Sequence, residues 1–246
     1  MELFICENVA VASQKAADMI SELVKENPQA ILGLATGSTP EKMYQILIED
    51  HKKNGTSYAD VKTVNLDEYV GLAGTHEQSY RYFMDKHLFD KLDIKKENTY
   101  VPLGLGNPEE NAKKYDEILA RLGTVDIQVL GIGSNGHIAF NEPGISFDHT
   151  THVVDLVPET IAANARFFNS LDEVPKTAVS MGIASILKAK EIILLAFGKG
   201  KAEAIRAMFE DEISTACPAT ALQNHPNVYV FVDEAAAALL SSTEVE

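Results

Sequence analysis

Three short stretches hold residues whose types and spacing could do chemistry. In Gly131-Ile132-Gly133-Ser134-Asn135-Gly136-His137-Ile138-Ala139-Phe140-Asn141-Glu142-Pro143-Gly144, a histidine stands two residues after an asparagine and five before a glutamate. Histidine shuttles protons near neutral pH. Glu142 could hold one ring nitrogen while the other works, with Asn135 orienting the pair. In Val64-Asn65-Leu66-Asp67-Glu68-Tyr69, two adjacent acids end an apolar run. A carboxylate facing a cleft there would serve as a general base, and local sequence leaves open which acid does. In Ala35-Thr36-Gly37-Ser38-Thr39-Pro40, the amides of Gly37, Ser38 and Thr39 would point out from a helix whose first residue is Pro40. Amides and hydroxyls at a helix N-terminus make a ready phosphate site; a simple N-cap turn is the plainer alternative. Gly198-Lys199-Gly200-Lys201 and Arg166 could add cations to such a site, although for each alone a solvated charge is the plainer reading.

Gly131, Gly133 and Gly136 also fit the dinucleotide fingerprint. That motif needs a helix directly after its third glycine, because the pyrophosphate sits on the helix terminus. Residues 137–152 carry Pro143 and Gly144 and show no apolar period of 3.6. A nicotinamide site is therefore not expected, and no cofactor is. The other histidines lack metal-ligand spacing, so no metal is expected.

The elements that must position these residues follow from the apolar runs. Nearly continuous ones at Leu3–Cys6, Ala30–Ala35, Thr63–Leu66, Ile127–Ile132, Ile192–Phe197 and Val228–Val232 read as strands buried on both faces of a parallel sheet. Helix-like stretches lie near 10–26, 40–53, 77–90, 108–121, 177–189, 200–210 and 234–241. Such alternation predicts an α/β, Rossmann-like, open and mostly parallel sheet with helices on both faces. The three motifs then fall at the carboxyl ends of strands, where ligands bind in such sheets. The least regular region runs from Ala139 to about Asn164, and a loop or lid is expected near 139–175 of a single domain spanning 1–246.

The 246 residues carry 36 acids against 21 Lys and Arg, a net charge of −15. That balance argues against nucleic acid and anionic membrane as partners. Two cysteines, Cys6 and Cys217, lack CxxC spacing and read as reduced thiols. With no basic leader or long apolar run, a cytoplasmic protein is expected.

Taken together, TGSTP at 36–40, NLDEYVGL at 65–72, SYRYFM at 79–84, GIGSNGHIAFNEPG at 131–144, ARFFNS at 165–170, VPKTAVSMG at 174–182 and Gly-x-Gly-Lys at 198–201 resemble the glucosamine-6-phosphate deaminase family across most of the chain. The resemblance implies conversion of glucosamine 6-phosphate and water to fructose 6-phosphate and ammonia, without a cofactor. It implies Asp67 as the base moving a proton from C2 to C1. It implies His137 as the ring-opening acid and base, supported by Glu142. Gly37, Ser38, Thr39, Arg166 and Lys201 match its phosphate ligands. Asn135 stands where many members have an aspartate, as in shorter bacterial members. Larger members carry an allosteric site with basic residues past the NEP segment; ISFDHTTHVVDL has no Lys or Arg, so no activation by N-acetylglucosamine 6-phosphate is expected. The short chain end suggests a monomer or small oligomer. Two alternatives remain: a 6-phosphogluconolactonase, in which the NLDEY acid would have no task, and a sugar-phosphate sensor, for which a sheet starting at Leu3 leaves no DNA-binding module.

Overall fold

A computed structural model of the chain describes residues 1–241. Strands β1 (Glu2–Cys6), β2 (Ile31–Leu34), β3 (Lys62–Asn65), β5 (Thr99–Tyr100), β6 (Ile127–Leu130), β9 (Glu191–Ala196) and β10 (Val228–Asp233) form one parallel sheet in the order β1-β10-β9-β6-β2-β3-β5. The expected α/β parallel sheet is the observed one. All four residues of β6 are buried, as are five of the six in β9, which is why these strands read as unbroken apolar runs.

The helices are α1 (Val9–Glu26), α2 (Glu41–Asn54), α3 (Tyr80–His87), α4 (Pro108–Leu122), α5 (Pro158–Asn164), α6 (Ile183–Ile186), α7 (Ala202–Glu210) and α8 (Glu234–Ala237). Crossovers β1-α1-β2 and β2-α2-β3 step toward the β5 edge; β5-α4-β6 and β9-α7-β10 step the other way. Right-handed crossovers that step in opposite directions lie on opposite faces, so both faces are covered. Caps fix the starts: the side chains of Asn8, Ser79 and Asn107 accept from the third amide of α1, α3 and α4. Among the described residues, no helix is long and apolar enough to cross a membrane.

A second sheet differs from expectation. β4 (Asp67–Tyr69), β8 (Thr177–Ser180) and β7 (His152–Asp155) pair antiparallel in the order β4-β8-β7. The stretch 177–189 is thus not one helix. Its first four residues pair on both sides, burying Ala178, Val179 and Ser180, and only the single turn of α6 follows. Gly182 stands between them, so close to the carbonyl of His149 that a Cβ there would collide with backbone. Likewise the irregular stretch after Ala139 contains β7 and α5, which lack a long apolar period because each is short and half solvated. Helix α2 starts at Glu41, one residue after Pro40.

Candidate active site

The strand order changes direction between β2 and β6, which are hydrogen-bonded neighbours. Sheets of this class hold ligands in the crevice beyond such a switch. The chain leaving β2 is the TGSTP turn, and the chain leaving β6 is the GIGSNGH turn. A cleft of about 540 Å³ lies between them, within the range of small-molecule sites.

At one end of the cleft, Gly37 adopts φ +93°, a conformation open to glycine at little cost, and so turns its neighbours toward the start of α2. The amides of Gly37, Ser38 and Thr39 donate to no protein acceptor among the described residues. All three residues line the cleft, together with Arg166 and Lys201. Lys201 Nζ donates to the Ile132 carbonyl at 2.6 Å. Burial, then the charge of Arg166, lowers its pKa. Two cations converging beside free amides favour a dianion at this end. Lys199, by contrast, does not line the cleft.

Deeper in, the strand continues through the two acids, and β4 separates them. Asp67 faces the cleft, 8% exposed, and its carboxylate makes no protein hydrogen bond among the described residues. Burial, reinforced by the charge of Glu68, pushes Asp67 up to about 8. Glu68 points away. It accepts the amides of Tyr69 and Tyr80 at 2.9 Å and of Arg81 at 3.0 Å, closing the first turn of α3. Burial nevertheless raises it to about 7. The question left open by local sequence thus resolves geometrically: Asp67 is available to a ligand and Glu68 is occupied. Tyr69 and Tyr80 (ring centroids 4.7 Å apart), with Phe140, form an apolar wall along the cleft.

His137 is presented by a tight turn. Gly133 N–H donates to the His137 carbonyl at 2.9 Å and Gly136 N–H to Gly133 at 3.0 Å. Ala139, at φ +51°, then reverses the chain, and an Ile138–Asn141 bridge returns Glu142 toward the ring. A non-glycine residue held left-handed is costly and tends to mark functional sites. His137 Nδ1 lies 2.8 Å from Asn135 Oδ1 and 3.3 Å from Glu142 Oε2. Asn135 Nδ2 donates to the same Glu142 oxygen at 2.9 Å. With two acceptors beside it, Nδ1 holds the proton of the neutral ring, which leaves Nε2 free to exchange one. Glu142 is buried, which raises its pKa, yet the bonds and charge of His137 with the bonds of Thr160 and Asn135 outweigh that and hold it below the usual carboxylate range.

Gly136 has φ +83°, and a Cβ there would strike Cys217 Sγ. Gly136→Ala should therefore destabilise the fold by roughly 2 kcal/mol, combining backbone strain with overlap, and lower activity by displacing His137. Adding Cys217→Ala should recover only the steric part. Melting temperatures of the single and double variants check this; a G136A protein with wild-type melting and turnover would refute it.

Residues 7–230 match the family described as glucosamine-6-phosphate isomerases/6-phosphogluconolactonase. The chain belongs to this family. A glucosamine-6-phosphate deaminase of Geobacillus sp. (strain WCH70) is 51% identical over 98% of this chain and 96% of its own. One of Clostridium perfringens (strain 13 / Type A) is 49% identical over 98% of this chain and 100% of its own. The solved structure of a monomeric glucosamine-6-phosphate deaminase superposes with a TM-score of 0.95 at 46% identity, covering 97% of this chain and 100% of that one. The 6-phosphogluconolactonase from Trypanosoma cruzi shares the fold, with a TM-score of 0.78 at 20% identity over 98% of this chain and 97% of that one.

Within this isomerase/lactonase fold, every residue expected at the site lies on the cleft wall except Glu142, which stands behind His137. Sequence reasoning missed Thr160. Its hydroxyl, on α5, donates to Glu142 Oε1 at 2.6 Å. Nothing in the local pattern of PETIAAN signals a partner eighteen residues earlier. It also missed that Glu68 closes α3, although Ser79, a good N-cap residue, marks where that helix begins.

Proposed function

We propose that this chain deaminates glucosamine 6-phosphate, giving fructose 6-phosphate and ammonia, with roles divided along the cleft. The observation that carries the reading is Asp67: a buried carboxylate with raised pKa, free of protein partners among the described residues, in the same cleft as the His137 relay and the anion cradle. Hydrolysis of a lactone would leave it idle.

The phosphate binds the Gly37, Ser38 and Thr39 amides with Arg166 and Lys201, and this remote anchor orients the reacting end. His137 Nε2 takes the O1 proton and delivers it to the ring oxygen, opening the sugar; Glu142 and Asn135 hold the ring through Nδ1. The C1 aldehyde then acidifies the C2 proton. Asp67 removes it as the substrate's ammonium group gives O1 a proton, leaving an enolamine, and returns it at C1. The resulting C2 imine adds water and expels ammonia. Only protons and water move, so the scheme needs no redox group. Asn135 cannot supply the charge of an aspartate, so Glu142 alone stabilises the imidazolium. We further propose a cytoplasmic enzyme, active as a monomer or small oligomer, without activation by N-acetylglucosamine 6-phosphate.

The test is ammonia release from glucosamine 6-phosphate, with 6-phosphogluconolactone as the parallel substrate. Ammonia with equimolar fructose 6-phosphate is expected. Lactone hydrolysis without ammonia would replace this reading with the lactonase one.

A further inference from the structure

Two tasks of the cleft, holding the phosphate and moving the ring proton, meet on one short segment. Helix α5 ends at Asn164, but the backbone stays right-handed helical through Asn164 and Ala165 and continues as a 3-10 turn over Ala165–Phe167. Thr160 and Arg166 therefore ride on one continuous helical piece, about 9 Å apart along its axis. At its far end Arg166 lines the anion cradle opposite Lys201. At its near end the Thr160 hydroxyl, itself buried, donates to Glu142 Oε1. The other Glu142 oxygen is the one beside His137 Nδ1. Phe168, just past the piece, packs against Tyr69 at a centroid distance of 5.9 Å and anchors it to the cleft wall.

We infer that Thr160 is a positioning residue that couples phosphate occupancy to the proton relay: an anion drawing Arg166 inward sets the helical piece, and Thr160 sets Glu142. The inference rests on the deaminase reading above. It makes the substrate's phosphate more than a handle. A sugar without it meets a relay whose carboxylate is less firmly held, so discrimination against unphosphorylated sugars falls on turnover as well as on binding. The hydroxyl is also placed to matter electrostatically. A carboxylate that loses one of its few donors in a buried setting becomes easier to protonate.

Four measurements test this. Thr160→Val, nearly isosteric, should lower kcat for glucosamine 6-phosphate about tenfold or more with KM within about twofold, as for a group acting on the chemical step. Thr160→Ser keeps the hydroxyl and should retain most of the activity. In T160V the steeper fall of kcat at the acid extreme, where Glu142 as well as Asp67 takes up a proton, should begin at higher pH, because one donor holding Glu142 low is gone. Finally, inorganic phosphate should raise ammonia release from unphosphorylated glucosamine by about tenfold in the wild type and by less than about twofold in T160V. A T160V enzyme with unchanged kcat, an unmoved onset of the steeper fall at the acid extreme, or an unaltered response to phosphate would overturn the inference. Loss of activity in T160S as deep as in T160V would overturn it too, pointing to packing instead. A wild type that releases no ammonia from glucosamine 6-phosphate would instead overturn the underlying deaminase reading.

Discussion

Replacing Asp67 with asparagine should abolish turnover, by about 1,000-fold or more, while making the protein more stable. Proton transfer by a positioned base is worth up to about four orders of magnitude, and the amide cannot accept the C2 proton. Solvent deuterium should no longer enter the product. The pH dependence has a definite sign. Asp67 must be unprotonated to act, and burial pushes it up to about 8, so kcat/KM should climb with pH, reach half its plateau near pH 8 and level off about a unit above. Stability runs the other way. A carboxyl whose folded pKa lies above its usual value binds its proton more tightly when folded, so its stabilising contribution is complete below about pH 4 and is lost as pH rises to about 8. Each unit of displacement is worth about 1.4 kcal/mol. Asparagine removes that penalty, on the order of 2–5 kcal/mol at pH 8, which corresponds to roughly 5–15 °C in melting temperature. Melting curves at pH 4 and pH 8 are decisive: near coincidence at pH 4 and a stabilised variant at pH 8 are expected. An inactive variant that melts below the wild type at pH 8 would show that Asp67 is not held at a cost, and near-normal turnover would remove it as the base.

His137→Gln should lower kcat about 100-fold, with the remaining rate set by spontaneous ring opening. Glutamine can still meet Asn135 but cannot give up and regain a proton. The deficit should therefore fall before the C2 step. Deuterium incorporated per ammonia released should match wild type, in contrast to the Asp67 variant, and KM should change little because the phosphate cradle is untouched. Wild-type kcat in H137Q, or a changed deuterium ratio, would place His137 elsewhere in the sequence of steps.

How much of this was legible in the sequence depended on how local each signal is. β6 and β9 announced themselves because burial on both faces demands unbroken apolar runs. The turns after β2 and β6 were legible because glycine, hydroxyls and proline punctuate strand ends. The small sheet was not. β4, β7 and β8 have three or four residues each, and β4 pairs with β8 across more than a hundred positions of sequence, Asp67 with Ser180. Strands that short carry too few residues for a period, so TAVS merged with the apolar residues of α6 into an imagined helix. At the site, the cluster of Asn135, His137 and Glu142 was visible because it is contiguous. Apart from the family resemblance, the local pattern could not separate Asp67 from Glu68, because the distinction is made by the amides of Tyr80 and Arg81. Thr160 was invisible for the same reason: its meaning exists only against Glu142.

Among the described residues, β1 has one neighbour in the sheet, and that neighbour is β10. An early strand thus pairs with one made more than two hundred residues later. Until Val228–Asp233 is made, Leu3, Phe4 and Ile5 have no backbone partner to dock on, and Phe4 lacks Phe231, the ring it stacks against at 4.9 Å. During synthesis the amino-terminal strand is an unpaired apolar edge of the kind that chaperones shield and neighbouring chains capture. Aggregation of nascent or carboxyl-terminally truncated chains should therefore originate at the start of the sequence, far from the missing end.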